Sequence, residues 1–167
     1  MKTVIRKNKK IALVLVALLV FASCDSNRVF DQYYAVDNTV WNKDNPINFE
    51  FQVTDTISKN DLYIQIRNNN EYAFSNLFLI THLDFPDGKK IVDTLQYAMT
   101  DKNGRFLGSG LSEIKESKLY YKESRVFPMS GKYKVSIKQA MRKNGTVEGV
   151  KELEGVTDVG LRIEKVE

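Results

Sequence analysis

The chain has 167 residues, 43% of them apolar and 28% charged, with 9 Gly, 3 Pro, one Cys and one His. That is the length of one domain and the composition of a folded chain, neither low-complexity nor dominated by charge. A single cysteine excludes a disulfide scaffold and a multi-thiolate metal site, and a single histidine excludes a histidine metal cluster within one chain.

The formal charge of +4 would by itself point to an acidic partner such as nucleic acid. The charge is not evenly spread. Lys2, Arg6, Lys7, Lys9 and Lys10 precede an apolar run over residues 11–22 (IALVLVALLVFA), followed by Ser23 and Cys24. This is the order of a secretory signal. Such a run, if helical, reaches about 18 Å, short of the ~30 Å hydrocarbon core, so no permanent membrane-spanning helix is expected. The tetrapeptide Phe21-Ala22-Ser23-Cys24 resembles a bacterial lipobox, although Phe21 stands where an aliphatic residue is usual. The resemblance implies cleavage between Ser23 and Cys24, a diacylglycerol on the Cys24 thiol and acylation of the new amine. The alternative is an ordinary secretory signal that happens to end in cysteine. Against it, the sole Cys of the chain occupies the one position that a lipobox requires. Several acyl chains, at ~0.8 kcal/mol per buried CH₂, make a stable anchor. Removing residues 1–23 takes five of the 25 Lys+Arg and none of the 21 Asp+Glu, leaving 144 residues with a formal charge of −1. The basic character belongs to the address, and no nucleic-acid partner is expected.

Residues 24–40 are read as a lipidated tether whose last part, from Tyr33, leads into a single domain over 41–167. Ile47, Phe49, Phe51 and Val53 alternate with polar residues, the period of a half-buried strand. Leu62, Ile64 and Ile66 repeat it. The denser apolar run 77–85 predicts a central strand covered on both faces. Phe85-Pro86-Asp87-Gly88-Lys89 predicts a turn that pairs residues 91–97 back as a hairpin. Asp101-Lys102-Asn103-Gly104 is a second turn; its twelfth position, Ser112, lacks the glutamate of a calcium loop. Residues 110–118 are read as a short helix or an irregular loop. Strands are expected over 119–127, 132–138 and 159–166, and one helical turn over 139–143. Short strands with turn signals every 8–12 residues predict an all-β fold, a single antiparallel β-sandwich of immunoglobulin-like or jelly-roll-like kind.

Signals for catalysis are poor. His82 lies inside an apolar run, no G-x-S-x-G elbow is present, and the acids Glu148, Glu152, Glu154 and Asp158 are interleaved with Lys151 and apolar residues. No enzyme activity, cofactor or metal is expected. The most unusual polar run is Arg67, Asn68, Asn69, Asn70, Glu71 and Tyr72. It is read either as turn residues or as an exposed loop for a partner or ligand. Planar amides beside an aromatic ring would suit a sugar, so an envelope glycan-binding module is the alternative function.

Longer motifs carry a family resemblance. SCDSNRVFDQY (23–33), LYIQIRNNNEYAFSNLFLI (62–80), FPDGK (85–89), DTLQYAMTDKNGRFLGSG (93–110), QAMRKNG (139–145) and LEGVTDVGLRIEK (153–165) together resemble the gliding-motility lipoprotein GldH family of the Bacteroidetes. The resemblance implies an accessory, non-catalytic envelope lipoprotein of the gliding machinery and of the type IX secretion apparatus tied to it. It would be held through Cys24 to the outer membrane, facing the periplasm, with other gliding or secretion envelope proteins as partners. Asp55-Thr56-Ile57 and Asp93-Thr94-Leu95 also resemble the sites at which periplasmic proteins of that phylum are O-glycosylated, with Thr56 and Thr94 as acceptors. The alternative for both is a threonine in or beside a strand next to a turn aspartate.

Overall fold

A computed structural model describes residues 25–166, and all structural statements concern them. It contains ten strands: β1 (Arg28–Ala35), β2 (Val40–Asn42), β3 (Ile47–Val53), β4 (Asn60–Asn68), β5 (Asn76–Asp84), β6 (Lys90–Ala98), β7 (Lys115–Arg125), β8 (Gly131–Gln139), β9 (Glu152–Glu154) and β10 (Val156–Lys165). They form two four-stranded sheets, ordered β1-β10-β4-β7 and β3-β8-β5-β6, and a two-stranded ribbon β2-β9. Every pairing is antiparallel. The expected all-β sandwich is present.

The two large sheets stack strand over strand. At one side Phe30 and Tyr34 of β1 meet Phe51 and Phe49 of β3, with ring centroids 5.4 and 5.3 Å apart. At the other, the Tyr97 hydroxyl of β6 donates to the Tyr120 carbonyl of β7 at 2.5 Å, and Lys122 pairs with Asp93 at 2.9 Å. Burial pushes the Tyr97 phenol up to about 12. Between the sheets lie the alternating apolar residues that period 2 assigns to one face. Phe49, Ile64, Ile66, Leu77, Leu79, Tyr133, Val135, Ile137, Val159, Leu161 and Ile163 are fully buried.

The sandwich has two unlike ends. One end has short connections, residues 54–59, 85–89 and 126–130. It is filled by Phe51, Phe85, Phe127 and Tyr133, whose rings pack edge-on or stacked. The first described residues also lie here: Lys165 donates its N–H to the Asn27 carbonyl at 2.8 Å. The opposite end carries the long connections, 36–46, 69–75, 99–114 and 140–151. The β2-β9 ribbon closes it, burying Trp41 and Leu153. Buried Gln139 holds the 140–151 loop there. Its amide donates to the Val150 carbonyl at 2.8 Å and accepts from the Met141 N–H at 2.9 Å.

Several sequence expectations change. Residues 28–35, expected within the tether, form β1, the edge strand paired to β10. Residues 115–118, expected within a short helix or an irregular loop, are strand, and residues 139–143 leave β8 and form a bridge at Arg142 to Gly149 instead of a helical turn. The strand covered on both faces is β4, not β5. In β4 Tyr63 and Gln65 are buried as well as Leu62, Ile64 and Ile66, whereas β5 alternates buried with half-buried residues.

Candidate functional site

The second cover over β4 is a layer of charged and aromatic side chains on the outer face of the β1-β10-β4-β7 sheet. Alternation puts Arg162 of β10 outward between Leu161 and Ile163, which face the core. Its guanidinium donates to Asp31 of β1 and to Glu164, each at 2.5 Å, and to Asp25. Lys118 of β7 donates to both oxygens of Glu164, at 2.9 and 2.8 Å, and its ammonium lies 4.0 Å from the Tyr63 ring centroid. Tyr63 packs on Tyr120 with centroids 4.5 Å apart. On the same face the Arg67 guanidinium sits 4.0 Å from the Tyr33 ring centroid, and its Nε donates to Glu116 at 2.7 Å. A Cβ on Gly160 would lie 2.8 Å from the Tyr33 ring, so glycine makes the seat for that ring.

The electrostatics follow from this wiring. The hydrogen bond from Arg162 holds the Asp25 carboxyl below its ordinary value. Burial raises Glu164, but the hydrogen bonds from Lys118 and Arg162 outweigh it and the net shift is downward. Arg162 is pushed up by its three carboxylates despite desolvation. The layer is built from the segments 25–33, 62–67 and 158–165, which carry the family resemblance, together with β7. Its consequence is positional. Asp25, the residue directly after Cys24 in the sequence, is tied to the sheet by its bond with Arg162. Cys24 and Ser23, the expected lipidation and cleavage positions, lie outside the described residues.

The candidate partner loop is not a free loop. Asn68 is fully buried and Tyr72 is 3% exposed. The Tyr72 hydroxyl donates to the Asn76 carbonyl at 2.7 Å. Asn69 accepts from the Glu71 N–H at 2.9 Å, an Asx turn, while its own N–H donates to the Gly155 carbonyl at 2.9 Å. Arg67 belongs to the outer layer, which leaves Asn70 and Glu71 as the exposed members of the run. This corrects the expectation of an exposed amide-and-aromatic site: a tyrosine buried in the core cannot stack on an external sugar. The segment instead locks the long-loop end together, and sequence alone did not show that Gly155 lies against it. Around it, the long loops leave Leu107, Leu111 and Val147 at 59%, 111% and 89% exposure. Phe74, Phe78, Arg142, Lys143 and Thr146 border an open cavity of about 740 Å³.

Other candidates stay apart. His82 is half-buried on β5, paired in register with Val92 and Ser136, while Glu152 and Glu154 are the end residues of β9 and Asp158 lies on β10 of the other sheet. Among the described residues, no group of three or more His, Cys, Asp or Glu side chains could hold a metal ion. Asp101 accepts from the N–H groups of Asn103 and Arg105 at 2.8 and 2.9 Å, the expected turn. Thr56 is half-buried in the 54–59 loop, and Thr94 points outward from β6.

An antiparallel β-sandwich whose first described residues are clamped to the outer face of one sheet is the class that these features define. The profile of the GldH lipoprotein family matches residues 28–163, nearly all of the described chain, and the chain belongs to that family. It is 56% identical over 153 residues to "Gliding motility lipoprotein GldH homolog" of Christiangramia forsetii, covering 92% of this chain and 93% of that one. It is 50% identical over 153 residues to "Gliding motility lipoprotein GldH" of Flavobacterium johnsoniae, covering 92% and 94%. Among solved structures, the infectious bursal disease virus VP2 subviral particle matches 84% of this chain with a TM-score of 0.37 and 15% identity, and dimeric latent PorU from Porphyromonas gingivalis matches 83% with 0.35 and 9%. The chain spans 34% and 13% of those two chains, and neither likeness bears on function.

Proposed function

We propose that this protein is a non-catalytic lipoprotein of the gliding-motility machinery and of the type IX secretion apparatus associated with it. Cys24 carries the acyl chains and holds the domain to the outer membrane on its periplasmic side. The long-loop end, with its exposed leucines and valine, meets other envelope proteins. The observation that carries this reading is the identity of 56% and 50% to two named gliding-motility lipoproteins over nearly the full length of all three chains. The short path from Cys24 to the Asp25–Arg162 clamp supports an anchor at one end and a working surface at the other.

The test is deletion with complementation in the native host. Loss should abolish colony spreading or export of type IX cargo, and the wild-type gene should restore it. Cys24→Ala should move the protein from the membrane to the soluble fraction or lower its level, and should fail to complement. A deletion strain that spreads and exports normally would refute the role.

A further inference from the structure

The end of the sandwich nearest Asp25 carries a feature that neither the family nor the clamp requires. Residues 54–59 connect β3 to β4 beneath the sheets. Asp55 organises the loop by accepting from the N–H of Ile57 at 3.0 Å, the N–H of Ser58 at 2.9 Å and the Ser58 hydroxyl at 2.7 Å. Its other role is an ion pair with Lys165 at 2.8 Å. The result is a rigid loop that holds Ile57 86% exposed at its tip. These bonds set a large aliphatic side chain in water at the end of the sandwich where the first described residues lie. The same loop is tied to the anchor segment through the C-terminal strand. The Val166 N–H donates to the Lys59 carbonyl at 2.9 Å, and the adjacent Lys165 N–H donates to the Asn27 carbonyl at 2.8 Å. Asn27 is three residues from Cys24.

Four basic side chains at this end, Arg28, Lys59, Lys89 and Arg125, lack a carboxylate partner among the described residues. Most of the acids there are hydrogen-bonded within the protein, Asp61 and Asp87 by backbone N–H groups that leave their charge in place. Asp25 and Asp55 are paired with Arg162 and Lys165, Asp61 accepts from the Ser124 N–H and Asp87 from the Lys89 N–H. Glu123 is the exception. Val166 and Val126, 38% and 42% exposed, add apolar surface to the same end. An aliphatic knob on the end that carries these four cations, beside the proposed acyl anchor, suits a bilayer surface, whose headgroups offer phosphate above an apolar interior.

Resting on the reading of Cys24 as acylated, we propose that the 54–59 loop is a membrane-contact loop. Ile57 enters the headgroup boundary, and Arg28, Lys59, Lys89 and Arg125 meet the phosphates of anionic lipid. The anchor and the loop together fix the sandwich upright, with its long-loop end directed away from the bilayer. A glycan on Thr56 would hold this loop off the membrane, so of the two O-glycosylation candidates only Thr94 is compatible with the pose.

The test uses the acylated protein purified from its own membranes, with Ile57→Cys labelled by an environment-sensitive fluorophore; acylation protects Cys24 from the label. Leu111→Cys, at the opposite end, is the comparison. In vesicles of phosphatidylethanolamine and phosphatidylglycerol, the label at 57 should shift to the blue. A lipid with its quencher near the headgroup should quench it several-fold more than the label at 111. Lys59→Glu combined with Arg125→Glu should lower that quenching. Equal quenching at 57 and 111 on acylated protein overturns the contact loop and leaves the anchor standing. Unchanged quenching in the double charge variant overturns the phosphate contacts. A mature mass without acyl chains overturns the anchor and this pose with it.

Discussion

Asp25 and Arg162 stand 137 positions apart and are joined by a charge-assisted hydrogen bond on the outer face of one sheet. The same guanidinium serves Asp31 and Glu164, so one side chain links the N-terminal segment, the first strand and the last. Arg162→Ala leaves three carboxylates without their shared cation. Hydrogen bonds to charged groups contribute more than neutral ones, and partial exposure reduces the effect, so the loss should be about 1–2 kcal/mol. Urea unfolding of the domain from residue 25 onward measures it. Limited proteolysis should also show residues 25–28 becoming cleavable before the rest of the sheet.

The clamp should also respond to acid. Asp25 and Glu164 are held below their ordinary values of 3.8 and 4.5, and Asp55, hydrogen-bonded first by Lys165 and then by the Ser58 and Ile57 N–H groups, is likewise depressed. Folded carboxylates with lowered values bind fewer protons than the unfolded chain does. Their stabilisation is therefore complete above those ordinary values and is lost as pH falls through the folded ones. Stability should be flat from neutrality to about pH 5 and decline below about pH 4. In Arg162→Ala the decline should be shallower, and unfolding midpoints across that range would show it.

Gly155 should not tolerate any side chain. Its φ is +83°, and a Cβ there would lie 2.1 Å from the Tyr72 nitrogen. That nitrogen is backbone and cannot swing aside. Left-handed geometry and overpacking each cost on the order of 1–3 kcal/mol, so Gly155→Ala should lose about 3 kcal/mol or more and loosen the 69–75 segment. Calorimetry gives the loss, and hydrogen exchange at Tyr72 locates it.

Leu111→Asp should separate binding from folding. The side chain is fully exposed and touches no core residue, so stability should change by less than about 0.5 kcal/mol. Recovery of envelope proteins with the tagged, membrane-bound lipoprotein should fall, and spreading should fail to be restored. Unchanged recovery would place the partner surface elsewhere.

The strands that sequence displayed most plainly are those with one wet face. In β3, Phe49, Phe51 and Val53 alternate with Asn48, Glu50 and Gln52; in β8, Tyr133, Val135 and Ile137 do the same. What stayed hidden was strand structure stabilised from the polar side. β1 carries Asp31 and Gln32, and β7 opens with Lys115, Glu116, Ser117 and Lys118, which read as tether and loop. They are strands because Arg162, Arg67 and Glu164, distant in sequence, satisfy Asp31, Glu116 and Lys118. Likewise Asn68 and Tyr72 looked exposed because no local pattern shows that Gly155 will lie against that segment. The expectation for Cys24 rests on different grounds: a signal is read from the chain before it folds, so its information is local.

The place of β10 between β1 and β4 sets an order of events. The strand that adjoins the anchor has no partner until the last ten or so residues of the chain have arrived. On the proposed acylation of Cys24, a chain delivered N-terminus first is acylated while this sheet is still open. Pairings so distant in sequence also close slowly. The first strand waits as a bare edge until β10 arrives, and a truncation near residue 160 would leave that edge exposed permanently and prone to joining a neighbour's sheet.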